Sequence, residues 1–423
     1  MNRSTNGHAR EHRDSGIEVI IVGAGPSGLV LALMLGQKGV KVTLLDAALS
    51  LDAQPRATHY AAPAVDELRR AGVLDEILSL GFIPNGVAWR KLDGTLLACM
   101  TPESVPKENR MVCLPLDKMS KIVYSHLEKE PSVEVKWGHR VVGIGQSEES
   151  AWVEAQTDEG EKRLKADYIV GCDGGNSQIR RSLFGDMAFP GRTWDEQIVA
   201  TNVYYDMSKF NWMDSNFIVD PEHWYMVAKI QTDGLLRITY GDISGLSREE
   251  YIKRQPMKFR QMLPGHPEPS EYKLTNISPY KVHQRCAEKF RVGRFLLAAD
   301  AAHLCNPFGG LGLTGGLVDV GNLYDCLVGI HLGKASSEIL DKYDSVRRQK
   351  YHEIIDVVSS QNLRLLLENP DTSEKVAAFA DICRKAGNDE KLSRKMQLFS
   401  NDIKYDFTQH YYDNASTPFD VSH

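Results

Sequence analysis

An acidic residue at the end of a strand, followed by a proline- and glycine-rich turn, can hold a hydroxylated chain and a flat polar ring at once. The stretch from Gly293 to Asp319, GRFLLAADAAHLCNPFGGLGLTGGLVD, has that form. Phe295 to Ala299 reads as a buried strand, Asp300 stands at its end, and a helix follows the turn that carries Pro307, Gly310, Gly312 and Leu313. The carboxylate can accept from polyol hydroxyls, and the glycines let backbone N–H groups approach a ring closely. Far upstream lies Gly23-Ala24-Gly25-Pro26-Ser27-Gly28, a phosphate-binding pattern. There the first glycine permits the tight turn, the second lets the backbone reach a pyrophosphate, and the third allows close helix–strand packing. Asp46 is spaced to accept from a ribose hydroxyl and would repel a 2′-phosphate. The glycine pattern alone serves NAD and FAD equally. Two nucleotide signatures so far apart suggest one long cofactor gripped at both ends, and a flavin dinucleotide fits.

The elements that must position these residues are legible. Ile17 to Val22 is an apolar, β-branched run, as in a parallel strand covered on both faces. Leu29 to Gln37 reads as a helix whose N-terminal dipole faces the phosphates, and Val40 to Leu45 as the strand that ends at Asp46. Val19 to Gly36 is eighteen residues without a charge, but four glycines and Pro26 divide it into strand, turn and helix rather than a membrane span.

With 423 residues, 42% of them hydrophobic, the chain has enough material for a large core and more than one domain. A formal charge of −6 argues against nucleic-acid binding by bulk electrostatics. The seven cysteines (Cys99, Cys113, Cys172, Cys286, Cys305, Cys326 and Cys383) are odd in number and lack metal-ligand spacing, which points to reduced thiols, a cytoplasmic location and no metal site.

A third segment, Asp167-Tyr-Ile-Val-Gly-Cys-Asp173-Gly174 through Arg180, Arg181 and Gly185, completes a pattern. In that order the three segments resemble the motifs of the class A, para-hydroxybenzoate hydroxylase-like, FAD-dependent aromatic hydroxylases. The resemblance spans residues 17 to about 330. It implies an α/β fold: a doubly wound, Rossmann-like FAD-binding domain with an inserted antiparallel β-sheet substrate domain and a helical C-terminal region. The expected division is a disordered leader at 1–16, a discontinuous FAD-binding domain at 17–80, 108–185 and 281–350, a substrate domain at 81–107 and 186–280, and C-terminal helices at 351–423.

Carried onto this sequence, the resemblance puts Asp300 on the ribityl chain of FAD, and Pro307 with the backbone of 309–313 beside the isoalloxazine. Arg56 falls near the pyrophosphate, and Asp173 where FAD is held and NAD(P)H approaches. Three positions depart from the family pattern: Ala299 replaces a glycine, Thr314 a frequent asparagine, and Leu116 a polar FAD-contacting side chain. The implied reaction uses NAD(P)H and O2 to hydroxylate an aromatic or other electron-rich small molecule through a C4a-hydroperoxyflavin. Epoxidation or Baeyer–Villiger insertion would use the same oxidant and differ in product structure. An oxygen-independent reductase of this fold would turn over anaerobically with an organic acceptor, and a binding protein without chemistry would oxidise no NAD(P)H.

Between the motifs, 199–205, 223–230 and 235–242 read as strands rich in aromatics. Trp224, Tyr225, Arg237, Tyr240 and Tyr280 are the candidate substrate contacts, with Gln284 leading back toward the flavin. No acid–base pair stands out; His59, Tyr60 and His283 are the candidates for moving a phenolic proton. His303 reads as structural, and Lys253, Arg254, Lys258 and Arg260 as a solvated helix face.

Overall fold

The computed structural model describes residues 16–412, so nearly all of the expected leader at 1–16 lies outside the described residues. A six-stranded sheet carries the motifs, ordered Arg291–Val292, Phe295–Leu297, Tyr168–Gly171, Glu18–Val22, Lys41–Leu45 and Val133–Lys136. Its strands pair in parallel except for the Arg291–Val292 edge hairpin. Val19 to Val22 are all buried, which is why their run is apolar rather than alternating. The helix Pro26–Gly36 is buried on every side, packed against the sheet and the helices Leu116–Leu127 and Leu311–His331. Gly28 makes that approach possible, because a Cβ there would lie 1.9 Å from the Gly23 carbonyl oxygen.

Residues 140–166 add a three-stranded antiparallel sheet. An eight-stranded sheet forms the rest, ordered His303–Leu304, Lys273–Cys286, Gly191–Tyr204, Leu235–Asp242, Tyr225–Lys229, Ser215–Ile218, Val87–Arg90 and Leu96–Met100. One of its faces buries Val199, Tyr225, Val227, Ile238 and Tyr240 against Tyr251 and Phe259 of the helix Arg248–Met262. The other face looks toward the glycine motifs.

Expected boundaries at 280/281 and 350/351 fall inside continuous elements, and 107/108 inside the short turn Lys107–Asn109. The strand Lys273–Cys286 crosses 280/281, joining the eight-stranded sheet to the motif region through His303–Leu304. The helix Ile339–Lys350 runs through a single widened π turn, Tyr351–Ile355, into Asp356–Leu366, so the chain does not break at 350/351. The basic helix face also differs from expectation. Lys258 is buried with its ammonium 6.0 Å from the Tyr240 ring centroid, and burial lowers its pKa; Arg254 pairs with Asp242 at 2.8 Å. Among the described residues, no helix is long and apolar enough to cross a membrane, and no cluster of potential metal ligands occurs.

Candidate active site

A cavity of about 1850 Å³ runs between the two large sheets. That exceeds the few hundred to about a thousand cubic ångströms of an ordinary ligand pocket, and leaves room for a dinucleotide and a second molecule. All three motifs reach it: Gly23, Gly25, Pro26, Ser27 and Asp46 at one end, Asp173 along the side, and Asp300, Pro307, Gly310, Gly312 and Leu313 beyond. Gly28 stands behind the turn rather than in the wall.

The phosphate end is prepared by backbone geometry. Gly23 has φ +105, and a Cβ on Gly25 would meet no protein atom within 4 Å and so would occupy the cavity itself. Asp46 is held by N–H donation from Ala24 to Oδ2 and from Ala48 to Oδ1, both at 2.7 Å. Arg56 is exposed at the cavity wall and pairs with Asp52 at 3.0 Å.

Asp173 accepts from the N–H groups of Gln178 at 2.7 Å and Ile179 at 3.2 Å through Oδ2, while its buried Oδ1 has no partner among the described residues. Burial pushes its pKa up, against those hydrogen bonds and that of Ser177. Asp300 is exposed to the open cavity, and desolvation by the surrounding protein pushes its carboxyl up. Gly310, with φ +63, caps the helix Leu311–His331, and a Cβ on it would again meet only open cavity. Asn306 fixes this turn by accepting from the Phe308 N–H at 3.1 Å, and its own N–H donates to Gln284 Oε1 at 3.0 Å. Thr314, where the family pattern often has asparagine, is wholly buried and its hydroxyl has no partner among the described residues.

On the sheet side, strand alternation decides which residues face the cavity. Arg237 and Thr239 line it, whereas Ile238 and Tyr240 point to the opposite core. Tyr225 and Tyr240 are therefore not pocket residues. They are fully buried beside Phe259 and Tyr251, and their hydroxyls lack partners among the described residues. Trp224 also misses the cavity; it packs edge-on behind Phe308 at 5.4 Å, against the bare backbone of Gly241. Tyr280 does face the cavity, and the surrounding protein raises its pKa by desolvation.

Arg237 donates from Nε to Asn202 Oδ1 at 3.0 Å and from Nη2 to the Pro55 carbonyl. It forms no ion pair among the described residues, and burial lowers its pKa. His59 lines the cavity with Nδ1 2.8 Å from the Thr58 hydroxyl; burial lowers its pKa to about 4, so it is neutral at neutral pH. Tyr60 is wholly buried outside the wall, which removes it from the proton-transfer candidates. His283 is half-buried and lines the cavity, with burial and Arg285 lowering its pKa.

Sequence reading missed an aromatic wall. Trp89 stacks on Phe217 at 5.6 Å and meets Phe379 edge-on at 4.8 Å, and all three line the cavity. It also missed a buried charge network behind Asp300, in which Asp319 receives His303 Nε2 at 2.7 Å and Arg347 Nε at 2.6 Å. Burial alone would raise the Asp319 pKa, but His303 and Arg347 hold it at about 2.

Residues 16–358 match the FAD binding domain family. The chain is 36% identical over 383 residues to para-nitrophenol 4-monooxygenase of Pseudomonas sp. (strain WBC-3), covering 90% of this chain and 94% of that one. It is 34% identical to 6-hydroxy-3-succinoylpyridine 3-monooxygenase HspB of Pseudomonas putida (strain DSM 28022 / S16), covering 82% and 88%. The crystal structure of p-nitrophenol 4-monooxygenase PnpA from Pseudomonas putida DLL-E4 superposes with a TM-score of 0.86 at 35% identity, covering 92% of this chain and 98% of that one. The chain belongs to the class A FAD-dependent aromatic hydroxylases. It is a flavoprotein monooxygenase acting on aromatic substrates, with NAD(P)H the usual reductant of the class.

Proposed function

We propose that the enzyme hydroxylates a small acidic phenol, bound as its phenolate with the ring against Trp89, Phe217 and Phe379 and the negative oxygen toward Arg237. The observation that carries this reading is Arg237 itself, a cation without a carboxylate partner among the described residues in a largely apolar cavity. A desolvated guanidinium favours an anionic ligand, and a charge-assisted hydrogen bond is roughly twice as strong as a neutral one. Tyr280 stands at the same wall and can donate its hydroxyl hydrogen to the same oxygen. Two relatives carry p-nitrophenol in their names, a phenol acidic enough to ionise near neutral pH, which agrees with this choice.

In this reading Gly23, Gly25, Pro26, Ser27 and Gly28 shape the pyrophosphate turn, with Gly28 acting through packing. Asp46 meets the ribose, Arg56 the phosphates, Asp173 the middle of FAD and Asp300 its ribityl chain. The open space a Cβ would fill at Gly25 and Gly310, together with the unpartnered Asp173 Oδ1, fits such a group. FAD supplies hydride acceptance and oxygen activation when bound; the chain supplies position and charge. The N-terminus of the helix Leu311–His331 presents its positive dipole end where the 310–313 turn meets the ring. We further propose that the division at 17–80, 108–185 and 281–350 against 81–107 and 186–280 is functional, the first part holding FAD and the second the phenol, with 351–412 closing the cavity through Phe379 and Phe399, while 413–423 of the expected C-terminal helices lie outside the described residues.

Replacing Arg237 by Gln tests the reading. The binding of 4-nitrophenol should weaken by about tenfold or more, while 4-nitroanisole, which cannot ionise, should bind wild type and variant alike. Equal losses for both compounds would show that Arg237 only supports the wall.

A further inference from the structure

Ala299 precedes Asp300 and has φ +56, one of three non-glycine residues in the left-handed region among those described. A methyl-bearing residue is strained there, and the strain persists only where its surroundings over-determine the backbone. Those surroundings are on the helix Leu311–His331. The Ala299 N–H donates to Asp319 Oδ2 at 3.0 Å, and the methyl group rests on Gly316, where a Cβ would come within 2.8 Å of it. Asp319 is itself clamped. His303 Nε2 meets the same oxygen at 2.7 Å, and Arg347 Nε donates to Oδ1 at 2.6 Å. Arg347 is anchored in turn by donating from Nη1 to Asn322 Oδ1 at 3.2 Å and to the Ile403 carbonyl at 2.5 Å. Asp319, His303 and Arg347 are at most 2% exposed and none lines the cavity, so none can touch the cofactor.

We infer that Asp319 is a positioning residue for FAD: it holds Ala299 in its left-handed conformation and thereby fixes the Asp300 carboxylate in the cavity. This rests on the reading that Asp300 holds the ribityl chain. The linkage is short, one peptide unit between a strained residue and its ligand-facing neighbour. It is also specific to a chain with alanine at 299. Glycine adopts positive φ freely and would need no such restraint.

That difference supplies the test. FAD dissociation constants are measured by fluorescence quenching on apoprotein for wild type, Asp319→Asn, Ala299→Gly and the double variant. The expected result is a loss of at least tenfold in D319N, little change in A299G, and recovery to within about threefold of wild type in the double variant. A merely structural role for Asp319 predicts that the double variant stays as weak as D319N, and that result, or unchanged affinity in D319N, would overturn the inference. If D319N apoprotein does not fold, Arg347→Gln, which leaves the Ala299 bond partner in place but held by His303 alone, is read in the same pairing with A299G and by the same criteria. Asp300→Asn separates the two readings. Unchanged FAD affinity in that variant would remove the role given to Asp300, whatever Asp319 does.

Discussion

Trp89 and Phe379 meet edge to face at 4.8 Å, one on the strand Val87–Arg90 of the large sheet and the other on the helix Glu374–Gly387. The helical region therefore contributes to the aromatic wall and is more than a cover. Truncating Phe379 to Ala removes one contact surface and the edge-on partner of Trp89. Such aromatic contacts are worth about 0.5–1.5 kcal/mol each beyond their buried area, so KM for the phenol should rise roughly three- to tenfold. Bound FAD should be retained, which its absorbance in the purified variant checks.

The two faces of the large sheet make opposite predictions for two tyrosines. Tyr240 is wholly buried with an unpartnered hydroxyl, so Tyr240→Phe removes a polar group that was never satisfied. Its stability to denaturant should stay the same or rise by about 1 kcal/mol, with KM unchanged. Tyr280→Phe removes a cavity-facing hydroxyl. Its KM for the phenol should rise several-fold at unchanged stability, as steady-state kinetics on the pair would show.

This contrast also marks how much was legible in the sequence. The strands, their approximate limits and the three motifs could be read, because glycine spacing and apolar runs are local signals. Which face of a strand meets the cavity was not, since both faces of this sheet are covered and both are partly apolar. Parity was an available signal: Arg237 and Tyr240 are three residues apart on one strand and cannot share a face. Trp89, Phe217 and Phe379 come from three separate segments, and Asp319 meets Arg347 only through tertiary packing, so no sequence spacing announces either group.

Gly310 separates conformational strain from ligand clash. With φ +63, Gly310→Ala should cost the apoprotein about 1 kcal/mol of stability. Its methyl group would meet no protein atom and would project into the cavity. Affinity for FAD should therefore fall by more than the stability loss explains, a comparison open to parallel denaturation and FAD titration.

Glu67 gives the fold a pH dependence away from the site. It is buried, with Oε2 2.8 Å from Arg70 Nη1, and burial raises its pKa from 4.5 to about 7. A carboxyl whose folded pKa is raised keeps its proton in the folded state between those values. The stability this proton adds is fully present below about pH 4.5 and is lost as pH rises through 7, on the order of 3 kcal/mol at most. Glu67→Gln, neutral at every pH, should flatten that decline in urea denaturation curves taken at pH 5 and pH 8. An equally steep decline in the variant would assign it to other groups.

The most direct measurement is oxygen labelling. The purified, FAD-loaded enzyme is given NAD(P)H, 4-nitrophenol and 18O2, and the product is analysed by mass spectrometry. The predicted result is one labelled oxygen atom in each molecule of a ring-hydroxylated product, with no turnover when oxygen is withheld. NAD(P)H oxidation that continues without oxygen, or a product whose added oxygen comes from water, would contradict it.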